Sequence, residues 1–319
     1  MRVLVTGGTG FLGRAIVRAV ADRGHEPVVF ARQATRARLP GRAIDGDVRD
    51  RASFEAAARG VDAICHSAAL VSLWRRDPSE FDKINVGGLE NAIAIARALK
   101  LPRLVYTSSF LALPPPDRTT PIEANDYQRT KVAAHRVAMQ ARDAGAPIIV
   151  LYPGVIYGPG VMSEGNLVGR LLADHRAGKL PGVIGADRVW SFAGVDDVAA
   201  AHARAIESAA PGSHYQLGGD NAPQIRAFEI LREIEGTAMP RHLPYWLSDL
   251  AGAAEELRAR VTGRPPLVTR GAVEIFRHDW PLEHADAARD LGLRVTPVTA
   301  GIANLLSEFR APAKSNAAT

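Results

Sequence analysis

The chain has 319 residues, of which 47% are apolar and 23% charged, so it can build a sizeable core and is not disordered throughout. Its one cysteine, Cys65, rules out an internal disulfide and a thiolate zinc cluster and points to a reduced, cytoplasmic setting. Net charge is +5, but the basic residues are spread along the chain and aromatics are only 6%, so a nucleic-acid surface with interleaved stacking residues is not expected.

The first residues turn glycine-rich after a few apolar positions, too soon for a signal-peptide core, and no run of about 18 apolar residues suggests a membrane span. From the start, short β-branched runs alternate with helical periodicity. A strand at 3–5 is followed by a helix over 11–23, and strands follow at 28–30 and 43–44. A strand at 61–66 precedes a long helix over 79–99. A strand at 104–106, a helix over 125–144 and a strand at 147–151 complete the series. Strands that are apolar at nearly every position are covered on both faces, which predicts an α/β fold of Rossmann type with a doubly wound parallel sheet. After Pro153 the pattern loosens. We read 1–160 as the domain built on this sheet, with 189–217 returning to it, and 161–319 as a smaller, mostly helical domain. The small, polar tail 311–319 is expected to fray.

The first strand runs into Thr6-Gly7-Gly8-Thr9-Gly10-Phe11-Leu12-Gly13, directly before a helix. Gly7, Gly10 and Gly13 permit a tight turn, close approach of the backbone to a pyrophosphate, and tight helix–strand packing. The free N–H groups of the helix, near Phe11 and Leu12, then face the anion. An NAD site usually places an acid at the end of the second strand, whereas this chain has Ala31 there, followed by Arg32 and nearby Arg36 and Arg38. Guanidinium groups suit a 2′-phosphate, so NADP is favoured and NAD stays open. Asp47 and Val48 suit the adenine, and Ser67, Ala68 and Ala69 make a small-residue floor.

Tyr127 and Lys131 lie four residues apart on a predicted helix and share one face. A phenol is a poor base at neutral pH, and a cation nearby is expected to lower its pKa. The strand at 104–106 delivers Thr107, Ser108 and Ser109 at its carboxyl end, where open α/β sheets place ligands and where a hydroxyl can polarise a carbonyl. Trp246, Leu247 and Leu250 form one apolar stripe and Phe276 and Trp280 another. Core packing is the ordinary reading of both, with a pocket wall bordered by His278 and Asp279 as the alternative. His66, His135 and His202 read as structural, no metal site is expected, and Cys65 reads as a small core residue.

These segments, together with Tyr152–Gly160, resemble the extended short-chain dehydrogenases/reductases, also described as the NAD-dependent epimerase/dehydratase family. Within it the chain is similar to the dihydroflavonol-reductase-like and plant farnesol dehydrogenase branch, through 85–89, 106–110, 151–160, 180–182, 191–198 and 260–263. The resemblance implies Tyr127 as proton donor or acceptor and Lys131 as its partner and ribose ligand. It implies Ser109 as the polarising hydroxyl with Ser108 in reserve, and Pro153 and Val155 beside the nicotinamide. It also implies a homodimer through the helices over 79–99 and 125–144.

The expected activity is therefore an NAD(P)-dependent oxidoreduction between an alcohol and its carbonyl on a hydrophobic small molecule such as a terpenoid, steroid or flavonoid. Phe110 and Leu111 after Ser109 cannot do the proton chemistry of a sugar dehydratase. Tyr152 and Val155 stand where epimerases of this family carry Arg and Asn, although Asn166 and Arg170 keep a nucleotide-sugar epimerase open. A non-catalytic NAD(P)-sensing protein is a third reading, opposed by the intact Ser109, Tyr127 and Lys131.

Overall fold

The computed structural model describes residues 1–310, so the tail expected to fray lies outside the described residues. The first half contains β1 (Arg2–Thr6), α1 (Phe11–Asp22), β2 (Glu26–Ala31), β3 (Arg42–Asp45), α2 (Arg51–Ala58) and β4 (Ala63–His66). It continues through α3 (Ser79–Phe81), a π-turn (Asp82–Val86), α4 (Gly87–Ala98), β5 (Leu104–Thr107), α5 (Asp126–Asp143) and β6 (Ile148–Pro153). The second half holds β7 (Val155–Tyr157), α6 (Leu167–Arg176), β8 (Val189–Gly194), α7 (Val195–Ser208), β9 (His214–Leu217) and β10 (Asp220–Pro223). It ends with α8 (Arg226–Glu235), α9 (Tyr245–Thr262), α10 (Arg270–Ile275), α11 (Ala285–Leu291) and α12 (Val298–Arg310).

Seven strands form one parallel sheet in the order β3-β2-β1-β4-β5-β6-β9, the doubly wound Rossmann arrangement expected. The alternation of side chains explains why these strands read as continuous apolar runs. Val3, Val5, Val29, Cys65, Val105 and Ile149 face a core shared with α1 and α7. Their neighbours Leu4, Val28, Phe30, Ile64, Leu104 and Ile148 face a second core shared with α4 and α5. Both faces are dry, so period-2 alternation disappears from the sequence. The strand order reverses between β1 and β4, which opens a crevice at their carboxyl ends. The segment 189–217 contributes α7 against α1 and β9 beside β6.

Three features depart from the reading of the sequence. The helix expected over 79–99 is interrupted by the π-turn at Asp82–Val86. Helix α2 was not anticipated, although the Asp50 carboxylate caps it by accepting from Ala52 and Ser53 N–H. A small second sheet, β10-β8-β7, joins β7 from 1–160 and β8 from 189–217 to β10 in the part expected to be mostly helical. With Trp280, α6, α8 and α12 it encloses a third core.

Candidate active site

The loop from β1 into α1 is a cradle in which Gly7 and Gly13 cannot be replaced by a residue with a side chain. Gly7 has φ +67°, and a Cβ there would sit 2.7 Å from Ala68 Cα. A Cβ on Gly13 would overlap the Gly7 carbonyl oxygen and lie 2.8 Å from the Gly7 carbonyl carbon. Gly10 is the N-cap of α1 and offers no side chain, and no acid occupies the first turn, so the opening N–H groups are left for an anion. Phe11 is buried and Leu12 packs against the same core. The floor is tied to this loop, because the Ser67 hydroxyl donates to the Thr6 carbonyl at 2.8 Å and Ala68 N–H to the Thr6 hydroxyl at 3.3 Å. Val48 is buried and Asp47, beside it, accepts from Arg49, which holds its carboxyl below the usual range. Arg32 follows β2, exposed and close enough to Asp47 to add to that lowering. These residues fit a dinucleotide.

β5 ends beside the cradle and carries the hydroxyls. Thr107, Ser108 and Ser109 are all buried. The Ser109 hydroxyl accepts from Leu111 N–H at 3.2 Å, whereas the Ser108 hydroxyl has no hydrogen-bond partner. Lys131 is buried, and its ammonium donates to the Thr107 carbonyl at 3.1 Å. Pro153 and Val155 are buried at the end of β6 and the start of β7. Thus Ser109, Tyr127 and Lys131 come together at the carboxyl edge of the sheet.

The proton energetics differ from the expectation. Burial pushes the Tyr127 phenol up to about 12, the Ser109 contact opposing it, and burial lowers Lys131 to about 8. Desolvation therefore outweighs the neighbouring cation, whose ammonium is aimed at a backbone carbonyl. Because kcat/KM reports the free enzyme, its alkaline limb is expected near pH 8, where Lys131 loses its proton. Lys131→Arg, which cannot be deprotonated, should remove that limb. A wild-type profile flat well beyond that value would contradict the assignment.

Several supporting contacts escaped the sequence reading, although His202 reads as structural there. Asn85, buried in the π-turn, accepts from Leu70 N–H at 2.7 Å and donates to the Leu70 carbonyl and the Thr130 hydroxyl, joining the cofactor floor to the catalytic helix. Arg129 on α5 grips Asp82 of the π-turn through two bonds of 2.8 and 2.7 Å. Gln128 donates to the Leu111 carbonyl and accepts from Ala124 N–H, which fixes the first turn of α5 beside Ser109. His202 donates from Nδ1 to the Val198 carbonyl, so its Nε2 accepts from the Thr107 hydroxyl at 2.9 Å. Asn85, Gln128 and His202 are polar side chains on buried faces, and that is the only trace they leave in the sequence. His66 and His202 are neutral core residues, their pKa values lowered by burial to about 3 and about 4. His135 meets the Tyr152 hydroxyl, and burial raises the Cys65 thiol to about 12, which makes it inert. No metal-binding cluster occurs among the described residues.

A cavity of about 220 Å³ lies between Phe110, Leu113, Pro114 and Pro116 on one side and Gln216, Trp280, Pro281 and Leu282 on the other. Trp280 meets Phe110 edge-on at 5.4 Å, and Phe276 stacks on Trp190. His278, near this wall, is engaged by Asp117 at 3.0 Å and Glu274 at 3.4 Å. Asp279 accepts from Val189 N–H. Asn166 is fully buried and spent internally, capping α6 and donating to the Gly158 carbonyl. Trp246, Leu247 and Leu250 are neither core nor pocket wall. They are exposed, because α9 docks through small residues instead.

The comparisons with known proteins agree with this geometry. The model of the NAD dependent epimerase/dehydratase family matches residues 3–218. The chain belongs to that family. It is 30% identical to "Sterol demethylase protein B" of Methylococcus capsulatus, over 97% of this chain and 98% of that protein. It is 30% identical to the "2-alkyl-3-oxoalkanoate reductase" of Stenotrophomonas maltophilia, over 92% and 94%. Among solved structures, gox2253 superposes with a TM-score of 0.81 at 28% identity, over 97% of each chain. The UDP-glucose 4-epimerase of Thermus thermophilus in complex with NAD gives 0.75 at 25%, over 98% and 99%. The extended short-chain dehydrogenase/reductase reading of the motifs thus stands. No helix among the described residues is long and apolar enough to cross a membrane.

Proposed function

We propose that the protein is an NAD(P)-dependent oxidoreductase that interconverts an alcohol and its carbonyl on a hydrophobic small molecule, with Tyr127 as the acid/base. The observation that carries this reading is the placement of Tyr127 one helical turn from the buried Lys131 ammonium on a helix whose first turn is tied to the Leu111 carbonyl beside Ser109, at the sheet edge next to the glycine cradle. When bound, the nicotinamide supplies the hydride acceptor or donor. Ser109 polarises the carbonyl oxygen, and Tyr127 exchanges the proton with it. Burial keeps the phenol protonated at neutral pH, which suits the reductive direction, where a proton must be given to an incipient alkoxide. Lys131 holds positive charge beneath this site and is the residue placed to meet the nicotinamide ribose.

An apolar substrate is supported by the cavity, whose one polar liner, Gln216, already accepts from Glu283 N–H. The names of the two relatives, a sterol demethylase component and an oxoalkanoate reductase, point the same way. The epimerase alternative rests on the Thermus thermophilus neighbour. Asn166, one of the two residues that kept it open in the sequence, is committed to the fold. The test is turnover: loss of reduced-nicotinamide absorbance with apolar ketones supports the reading, and none with any ketone while a nucleotide sugar is epimerised overturns it.

NADP is the preferred cofactor in this reading, through Arg32, which is exposed at the end of β2 where no acid stands. Arg32→Ala should weaken NADP binding by about ten- to a hundredfold, the loss of one charged hydrogen-bonded contact, and leave NAD nearly unchanged. Equal effects on the two cofactors in a binding titration would show that Arg32 does not read the phosphate.

A further inference from the structure

Helix α9 carries its apolar face outward. Its buried positions are the small residues Ser248, Gly252 and Ala259, and a Cβ on Gly252 would come within 2.9 Å of the Arg270 backbone nitrogen. At roughly 3.6 residues per turn, the opposite face carries Trp246, Leu250, Leu257 and Val261 in one line about 22 Å long. These residues are 68%, 63%, 64% and 80% exposed, and Leu267 just beyond the helix is 85% exposed. Single exposed apolar side chains are ordinary, whereas a contiguous stripe of this size marks a docking face.

The charges around it have one sign left over. The three acids of α9 are all engaged: Asp249 by Arg277, Glu255 by Arg258 and Glu256 by Arg270. Arg260 and Arg264 are exposed and form no ion pair among the described residues. The same holds for Arg76, whose guanidinium abuts the helix end at Gly263. A second copy docked here with the two helices parallel would bring these arginines near their own counterparts, and in either direction α9 offers them no free acid. An anionic lipid surface matches both the stripe and its basic end. The helix is also linked to the catalytic helix. It packs on the start of α10, where Gly271 presses against the Ala124 carbonyl next to Asn125, the N-cap of the catalytic helix α5.

We propose that α9 seats the protein on anionic lipid bilayers, with Trp246, Leu250, Leu257 and Val261 entering the boundary between headgroups and acyl chains and Arg76, Arg260 and Arg264 meeting lipid phosphates. This does not depend on the catalytic reading, because binding is measured without turnover. The experiment is flotation of the full chain with vesicles of equal parts phosphatidylglycerol and phosphatidylcholine, and with phosphatidylcholine alone. The wild type should float with the anionic vesicles, less so at high salt. The double variant Leu250→Ser, Leu257→Ser should reduce the bound fraction by about tenfold or more. Arg260→Gln with Arg264→Gln should remove the preference for anionic lipid. Both variants are exposed-site changes and should keep the wild-type circular dichroism and cofactor binding. Absence of wild-type flotation, or equal flotation of the leucine variant, overturns the proposal. So does conversion of a dimer to a monomer by the leucine changes without vesicle binding, which would make the stripe a contact between copies.

Discussion

Tyr127→Phe is expected to lower kcat by about 10²–10⁴-fold, the range a positioned proton donor contributes, while the cofactor dissociation constant stays where it is. The change removes one atom. The ring packs against the cluster that includes Leu111 and Ile122, and phenylalanine preserves that packing. What disappears is the phenolic hydroxyl, and Lys131 is directed to the Thr107 carbonyl. Stopped-flow absorbance on the holoenzyme would separate the two effects. Near-normal turnover in this variant, with cofactor bound as usual, would mean that the proton comes from elsewhere.

Gly13→Ala should have the second largest effect, on binding rather than chemistry. The added methyl would overlap the Gly7 carbonyl oxygen and press on Gly8 Cα at 2.8 Å, all of it backbone. Neither partner can rotate away, so α1 must withdraw from the loop, at a cost of about 1–3 kcal/mol of stability, as for other overpacked positions. A withdrawn helix no longer aims its N–H groups at the pyrophosphate, so cofactor affinity should fall by about a hundredfold or more. Gly10→Ala is the contrast. Its φ of −76° suits alanine, and a Cβ would meet only the Gly7 carbonyl oxygen at 3.3 Å. That variant should melt near the wild type. Calorimetry and a cofactor titration check both, and wild-type affinity in Gly13→Ala would contradict the cradle.

The parallel sheet and the glycine loop were legible because their causes are local. Strands buried on both faces read as apolar runs, and the cap residues of α5, Asn125 and Ala144, lie where its periodicity begins and ends. Tyr127 and Lys131 were legible because four residues on a helix fix their relation. What was lost depends on distant partners. β7 is separated from β6 by Gly154 alone, in a stretch rich in Gly and Pro, and becomes a strand only by pairing with β8. Asn85 and His202 acquire their roles by meeting Leu70, Thr130 and Thr107. The stripe on α9 had the periodicity of a core helix, and only the packing of Ser248, Gly252 and Ala259 shows that it faces outward.

The most direct measurement is a single turnover with reduced cofactor carrying deuterium at its hydride-donating carbon, an apolar ketone, and mass spectrometry of the product. The account predicts an alcohol carrying one deuterium on the former carbonyl carbon, with oxidised cofactor formed in equal amount. With both hydrogens at that carbon replaced by deuterium, an unlabelled alcohol or no alcohol at all would contradict net hydride transfer at this site.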